Sequence, residues 1–160
     1  MSVNAVSSYF QEDHEKLDGL FDQFQALRAC DYAEAKRYFK DFKFGLERHI
    51  AWEEQILFPL FEAKTRSKES GPTAVMRFEH KQIKEKLERL HAKVREESPD
   101  SDEEESELLY LLAQHNKKEE NILYPMIDQI TSEEERKHIF HEMEQLSMKG
   151  SSGSCCDIGL

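Results

Sequence analysis

The segment His49-Ile-Ala-Trp-Glu-Glu-Gln-Ile-Leu-Phe-Pro-Leu-Phe-Glu aligns without gaps on His115-Asn-Lys-Lys-Glu-Glu-Asn-Ile-Leu-Tyr-Pro-Met-Ile-Asp, at an offset of 115 − 49 = 66 residues. The same offset carries His14 onto His80, since 80 − 14 = 66. In each half the lone histidine precedes the His-x-x-x-Glu by 35 residues, the value of both 49 − 14 and 115 − 80. Two copies of one helical hairpin are implied. Each hairpin exposes an apolar face, and stacking the two buries both faces in an antiparallel four-helix bundle. A pseudo-twofold axis should then pass near whatever the repeated residues hold.

Apolar spacing supports four helices. The first stripe is Phe10, His14, Leu17, Phe21, Phe24, on a helix from about Ser8 to Ala29. A second begins at Asp31, with Glu34 in the capping-box position, and reads Ala35, Phe39, Phe42, Leu46, His49, Glu53, Ile56, Leu60. After Ser70-Gly71-Pro72 comes Thr73, Met76, His80, Ile83, Leu87, Leu90, Val94. The fourth stripe is Leu108, Leu112, His115, Glu119, Ile122, Met126, entered through a cap at Ser101 with Glu104 in the box. The acidic run Asp100 to Glu107 ahead of it reads as a solvated loop. Pro59 and Pro125, each ten residues after a histidine, are placed to kink or end their helices just beyond these polar positions. A short fifth helix starts at Ser132, boxed by Glu135, with Ile139, Met143 and Leu146 on its apolar face, and covers one end of the bundle. The expected architecture is all-α: one up-down four-helix-bundle domain over residues 1–149, then a flexible Gly/Ser/Cys tail over 150–160.

A formal net charge of −11 argues against a surface that neutralises phosphates, so nucleic acid is not an expected partner. No run of about 18 apolar residues occurs, which leaves no membrane span. The start of the chain lacks a basic, apolar leader. Only three cysteines occur, two of them adjacent near the C-terminus, so a reducing compartment fits best, and the protein is read as soluble and cytoplasmic.

The polar residues inside the apolar stripes carry the chemistry. Residues four apart on a helix share a face about 6 Å apart along the axis, so His49 with Glu53, and His115 with Glu119, project into one layer. Buried as bare anions, the two glutamates would cost several kcal/mol each. No Lys or Arg stands in the stripes at that level to offset them. A cation from outside is required. Four imidazoles and two carboxylates are too hard a set for a thiolate-preferring ion and too many for one tetrahedral site. Two metals about 3.5–4 Å apart, bridged by both carboxylates and an oxide or hydroxide, use all six and keep positions open. Iron is the expected occupant, with manganese and zinc compatible with the same donors. A lone histidine in an apolar stripe is ordinarily a satisfied core residue. Four at one level, two with Glu a turn on, all repeated at one offset, are not.

On these residues the chain resembles the hemerythrin-like, or HHE cation-binding, family over roughly Ser8 to Ile130. The matching elements are His14 in Asp-His-Glu, His49-x-x-x-Glu53, His80 in Glu-His-Lys, and His115-x-x-x-Glu119. The resemblance implies an up-down bundle, two iron ions on those six residues, and a small diatomic ligand, dioxygen or nitric oxide. Oxygen-carrying members have a fifth histidine one turn from the third-helix ligand, where this sequence has Met76 and Lys84. The set of four histidines and two glutamates is similar to that of di-iron proteins that repair iron–sulfur clusters.

Three functions are therefore open: binding or sensing of dioxygen or nitric oxide; redox, peroxide- or nitric-oxide-detoxifying or cluster-repair activity; and a bundle whose metal is structural. Glu79, beside His80, is either an outer partner or an extra ligand, or an exposed carboxylate. His91, His138 and His141 lie off the aligned levels and are read as surface or partly packed residues. Cys30 is expected to be a small buried hydrophobe and Trp52 a packing residue. Cys155 and Cys156 are left without a role.

Overall fold

A computed structural model describes residues 5–67 and 70–153, with side chains through residue 147. It contains α1 (Val6–Leu27), α2 (Tyr32–Trp52), α3 (Phe58–Thr65), α4 (Pro72–Arg95), α5 (Asp102–Lys118), α6 (Tyr124–Ile130) and α7 (Glu133–Gly153). A π turn, Glu53–Leu57, joins α2 to α3, and a second, Glu119–Leu123, joins α5 to α6. Four rods result, and their short connections force neighbours to run antiparallel. The ring closes as α1 packs on α2, α3 on α4, α4 on α5, and α6 on α1. This is the all-α bundle expected, with α7 as the fifth helix. The backbone stays helical to Gly153, four residues into the stretch read as a tail. Residues 154–160, with Cys155 and Cys156, lie outside the described residues. Among the described residues no helix is long and apolar enough to cross a membrane.

The helix starts follow local chemistry. Asp31 accepts a hydrogen bond from the Glu34 N–H at 3.2 Å. Ser132 and Glu135 complete both arms of their box, at 2.9 and 3.1 Å. Ser101 does not cap with Glu104. Its hydroxyl instead donates to Glu105 at 2.6 Å, because Gln25 of α1 and Arg28 just after that helix hold the carboxylate against the bundle. The stretch read as a solvated loop is thus already helical from Asp102, and Glu105 is buried. Cys30 is a second correction: α1 ends at Leu27, which leaves the thiol exposed in the turn.

The first turn of α1 is closed from across the molecule. Asp128 of α6 accepts from the Val6 and Ser7 N–H groups at 2.7 and 3.1 Å and from the Ser7 hydroxyl at 2.5 Å. Its counterpart at the repeat offset, Glu62 of α3, accepts from Thr73 at 2.8 Å and from Arg77 through both oxygens at 3.1 Å. Each hairpin's second rod therefore clamps the start of a first rod.

The π turns change which residues face inward. Phe58 N–H reaches Glu53 O, and Tyr124 N–H reaches Glu119 O, each five residues back instead of four. The proline after each of these residues has no N–H to continue the ladder, so the expected break takes the form of one widened turn followed by renewed α-helix. One extra residue per turn rotates everything beyond it. Ile122 and Met126, predicted to be inside, are 55% and 37% exposed, and Ile56 and Leu60 are only half-buried. Leu57, Phe58 and Phe61, with Leu123, Tyr124 and Ile127, fill the interior in their place.

The interior has two apolar clusters. One, at the α1–α2 turn end, packs Phe21, Phe24, Phe39 and Phe42 in tilted and edge-on contacts with ring centres 4.9–6.3 Å apart, with Leu87, Leu90 and Leu108 around them. The other joins Val6, Phe10, Trp52, Phe58 and Tyr124 to Ile139 and Met143 of α7. Trp52 anchors α7 by donating to Met143 O at 3.2 Å. Along every rod the predicted polar positions fall between these clusters.

Candidate metal centre

All six sequence-predicted residues meet in that layer, each at most 4% exposed. Ligand-capable atoms of Glu53, His80, His115 and Glu119 lie within 4.8 Å of one another, as do those of His14, His49 and Glu119. Two donor groups thus share Glu119. Glu119 reaches His14 Nε2 with one oxygen at 3.3 Å and His115 Nε2 with the other at 3.1 Å. Glu53 does the same toward His49 at 3.7 Å and His80 at 3.1 Å. Each carboxylate therefore spans the two hairpins, one oxygen toward each histidine pair.

The other ring nitrogen of each of these four histidines is occupied. His49 Nδ1 meets Asp13 at 2.7 Å, and His115 Nδ1 meets Glu79 at 2.9 Å. His80 Nδ1 meets Glu54 and His14 Nδ1 meets Glu120, both at 2.8 Å. A carboxylate only accepts, so Nδ1 carries the proton and Nε2 is left with a lone pair directed into the layer. These partners obey the repeat as well, since 79 − 13 and 120 − 54 are both 66. Each stands next to a residue of the inner six. Of these four only Glu79 stands out from sequence; the offset of 66 is the signal that could expose the rest.

Lone pairs facing carboxylate oxygens need a cation between them. Glu53 Oε1, His80 Nε2 and Glu119 Oε2 are buried without any hydrogen-bond partner. Leaving such atoms bare costs about 1–3 kcal/mol each, more when charged. The donor set and its orphaned atoms fit a metal. Without one, protons must serve. Burial alone would lower His14, but the hydrogen bond and charge of Glu119, with Glu120, override it and raise the imidazole to about 9. His80 is likewise carried from a burial-driven drop up to about 9 by Glu53 and Glu54. Burial and the Glu119 charge push the Glu53 carboxyl up. Burial opposes ionisation of Glu119 too, yet bonds to Glu53, His115 and His14 hold it well below the usual carboxylate range.

Sequence reasoning also missed Tyr124. Carried inward by the second π turn and fully buried, its hydroxyl lies 2.7 Å from Glu53, 2.8 Å from Glu119, 3.1 Å from His49 Nε2 and 3.4 Å from His14 Nε2. One phenol proton serves either carboxylate. The matching residue of the first hairpin is Phe58, stacked on His80 with ring centres 5.7 Å apart. His91 is buried against Phe39 in the distal cluster, while His138 and His141 are exposed on α7; none of the three approaches the layer.

An uncharacterized hemerythrin-like protein of Schizosaccharomyces pombe is 29% identical over 146 residues, covering 89% of this chain and 69% of the relative. No solved structure matches the chain at a significant level. The family model for the hemerythrin HHE cation binding domain matches residues 6–127, a span that contains nearly all of both hairpins and every residue of the buried layer. With histidine and glutamate groups set out to hold metal on that frame, the chain belongs to the hemerythrin HHE cation-binding family.

Proposed function

We propose that the protein is a non-haem di-iron protein that binds or senses dioxygen or nitric oxide. His80 and His115 would hold one ion and His14 and His49 the other, with Glu53 and Glu119 in reach of both. Bound iron supplies redox change and coordination positions for a diatomic molecule. The chain does the rest. Asp13, Glu54, Glu79 and Glu120 fix each imidazole with Nε2 inward and raise its basicity as a ligand. Phe10, Leu57, Phe58 and Leu123 exclude water from one side, and Leu17, Leu46, Ile83 and Leu112 from the other. With every inner residue at most 4% exposed, a molecule that reaches the layer without opening the bundle has to be small.

The observation that carries this reading is the set of three buried, unpartnered acceptors on Glu53, His80 and Glu119, facing one another. Metal analysis of natively produced protein tests it, followed by optical spectra of the reduced form with dioxygen and with nitric oxide. Two irons per chain and a saturable spectral change with either gas are expected. A folded protein that is empty, or that binds only zinc and ignores both gases, would sink the proposal.

A further inference from the structure

The repeat is broken at one interior position. Phe58 and Tyr124 are related by the offset of 66, both follow a π turn, and both are 0% exposed. A phenylalanine fills this position in the first hairpin, so packing does not call for the hydroxyl in the second. Burying a hydroxyl needs a compensating partner, and here the partners are four inner residues: Glu53, Glu119, His49 and His14.

The distances show what position the oxygen occupies. An atom standing in for a metal ion would lie about 2.0–2.2 Å from nitrogen and oxygen donors. Adjacent corners of an octahedron with such bonds are farther apart, about 3 Å, or √2 times the bond length. The hydroxyl lies at 2.7, 2.8, 3.1 and 3.4 Å from its four neighbours, the spacing of a corner and not of a centre. Around His80 and His115 no such group exists among the described residues, since Phe58 offers only its ring face.

We propose that Tyr124 is a further protein ligand, its phenol oxygen bonding the ion held by His14 and His49. The phenol O–H breaks as the oxygen–metal bond forms, and its proton leaves with those that metal uptake displaces. The two ions are thereby inequivalent, and the one at His80 and His115, beside Phe58, keeps the position where an outside molecule binds. This rests on the two-metal reading above.

The test uses the full chain loaded with iron and oxidised. A visible phenolate-to-iron(III) charge-transfer band is expected, with tyrosinate ring vibrations enhanced in its resonance Raman spectrum. Tyr124→Phe removes both while keeping two irons per chain and the helical circular dichroism signal. The ring vibrations are read on the unaltered protein, so they report even if the variant folds poorly. Two irons per chain with no band, or a band that survives in Tyr124→Phe, overturns the ligand assignment and leaves the di-iron reading standing. One iron in the unaltered chain and two in Tyr124→Phe also overturns it, since the hydroxyl would then be replacing an ion. Failure to take up iron at all overturns both.

Discussion

The two hairpins of this bundle agree at the metal layer and diverge just outside it. Each supplies two histidines, one shared glutamate and two carboxylates that steady imidazoles, all at the same offset. Around that set the halves differ. Asp13 is nearly buried, whereas Glu79 is 16% exposed and paired with Lys118. Glu62 makes a two-pronged ion pair with Arg77, whereas Asp128 caps backbone amides. Phe58 faces one histidine pair and Tyr124 the other. Duplication is retained in the buried donor layer, where both halves meet the same demand, and lost where each half has its own neighbours to satisfy.

The largest effect tests the shared part. His80→Ala and His115→Ala should each lose metal and stability together, on the order of 3–5 kcal/mol in the loaded protein, since each leaves buried charge without a partner. Metal content and thermal melts with and without iron check this; a variant that keeps two metals per chain refutes its ligand assignment. Next come the two clamps. Glu62→Ala strips a half-buried ion pair and the hydrogen bond from Thr73 and should cost about 2–3 kcal/mol, while Asp128→Ala removes a cap worth about 1–2 kcal/mol, both read by chemical denaturation. Equal losses would mean that the two clamps do the same job.

Among the carboxylates behind the imidazoles, Asp13→Asn should weaken metal binding by about 10–100-fold. Glu79→Gln should fall at the lower end of that range, because its site is wetter; competition with a chelator measures both. A separate effect is one of pH. Metal-free, His14 and His80 titrate near 9 against an ordinary 6.5. Their protons therefore contribute stability that is complete below about 6.5 and lost as pH rises through about 9. Iron competes for the same nitrogens, so metal uptake should release protons and strengthen as pH rises across that window. Melting of chelator-treated protein across that window should show stability falling toward alkaline pH. A rise there would mean that these histidines are neutral in the empty layer.

Much of the fold is legible in the order of residues alone. The stripes place the rods, and the caps at Asp31 and Ser132 start where expected because an Asx or Ser cap depends on only a few neighbouring residues. Ser101 does not cap because a partner 76 residues away, Gln25 being at 101 − 25, and its neighbour Arg28 hold Glu105 in reach of that hydroxyl. Cys30 departs from its expected burial because a helix end two residues earlier turns a core position into a turn.

By itself the sequence determined that two equal hairpins bring four histidines and two glutamates to one level, since periodicity and a constant offset are properties of the chain alone. The tertiary structure decided what surrounds them. A π turn inserts a single residue, leaves hardly a compositional trace, and yet rotates each second rod enough to exchange Ile122 and Met126 for Leu123, Tyr124 and Ile127. Packing across the bundle selects that rotation, and with it the phenol that divides an otherwise symmetric centre.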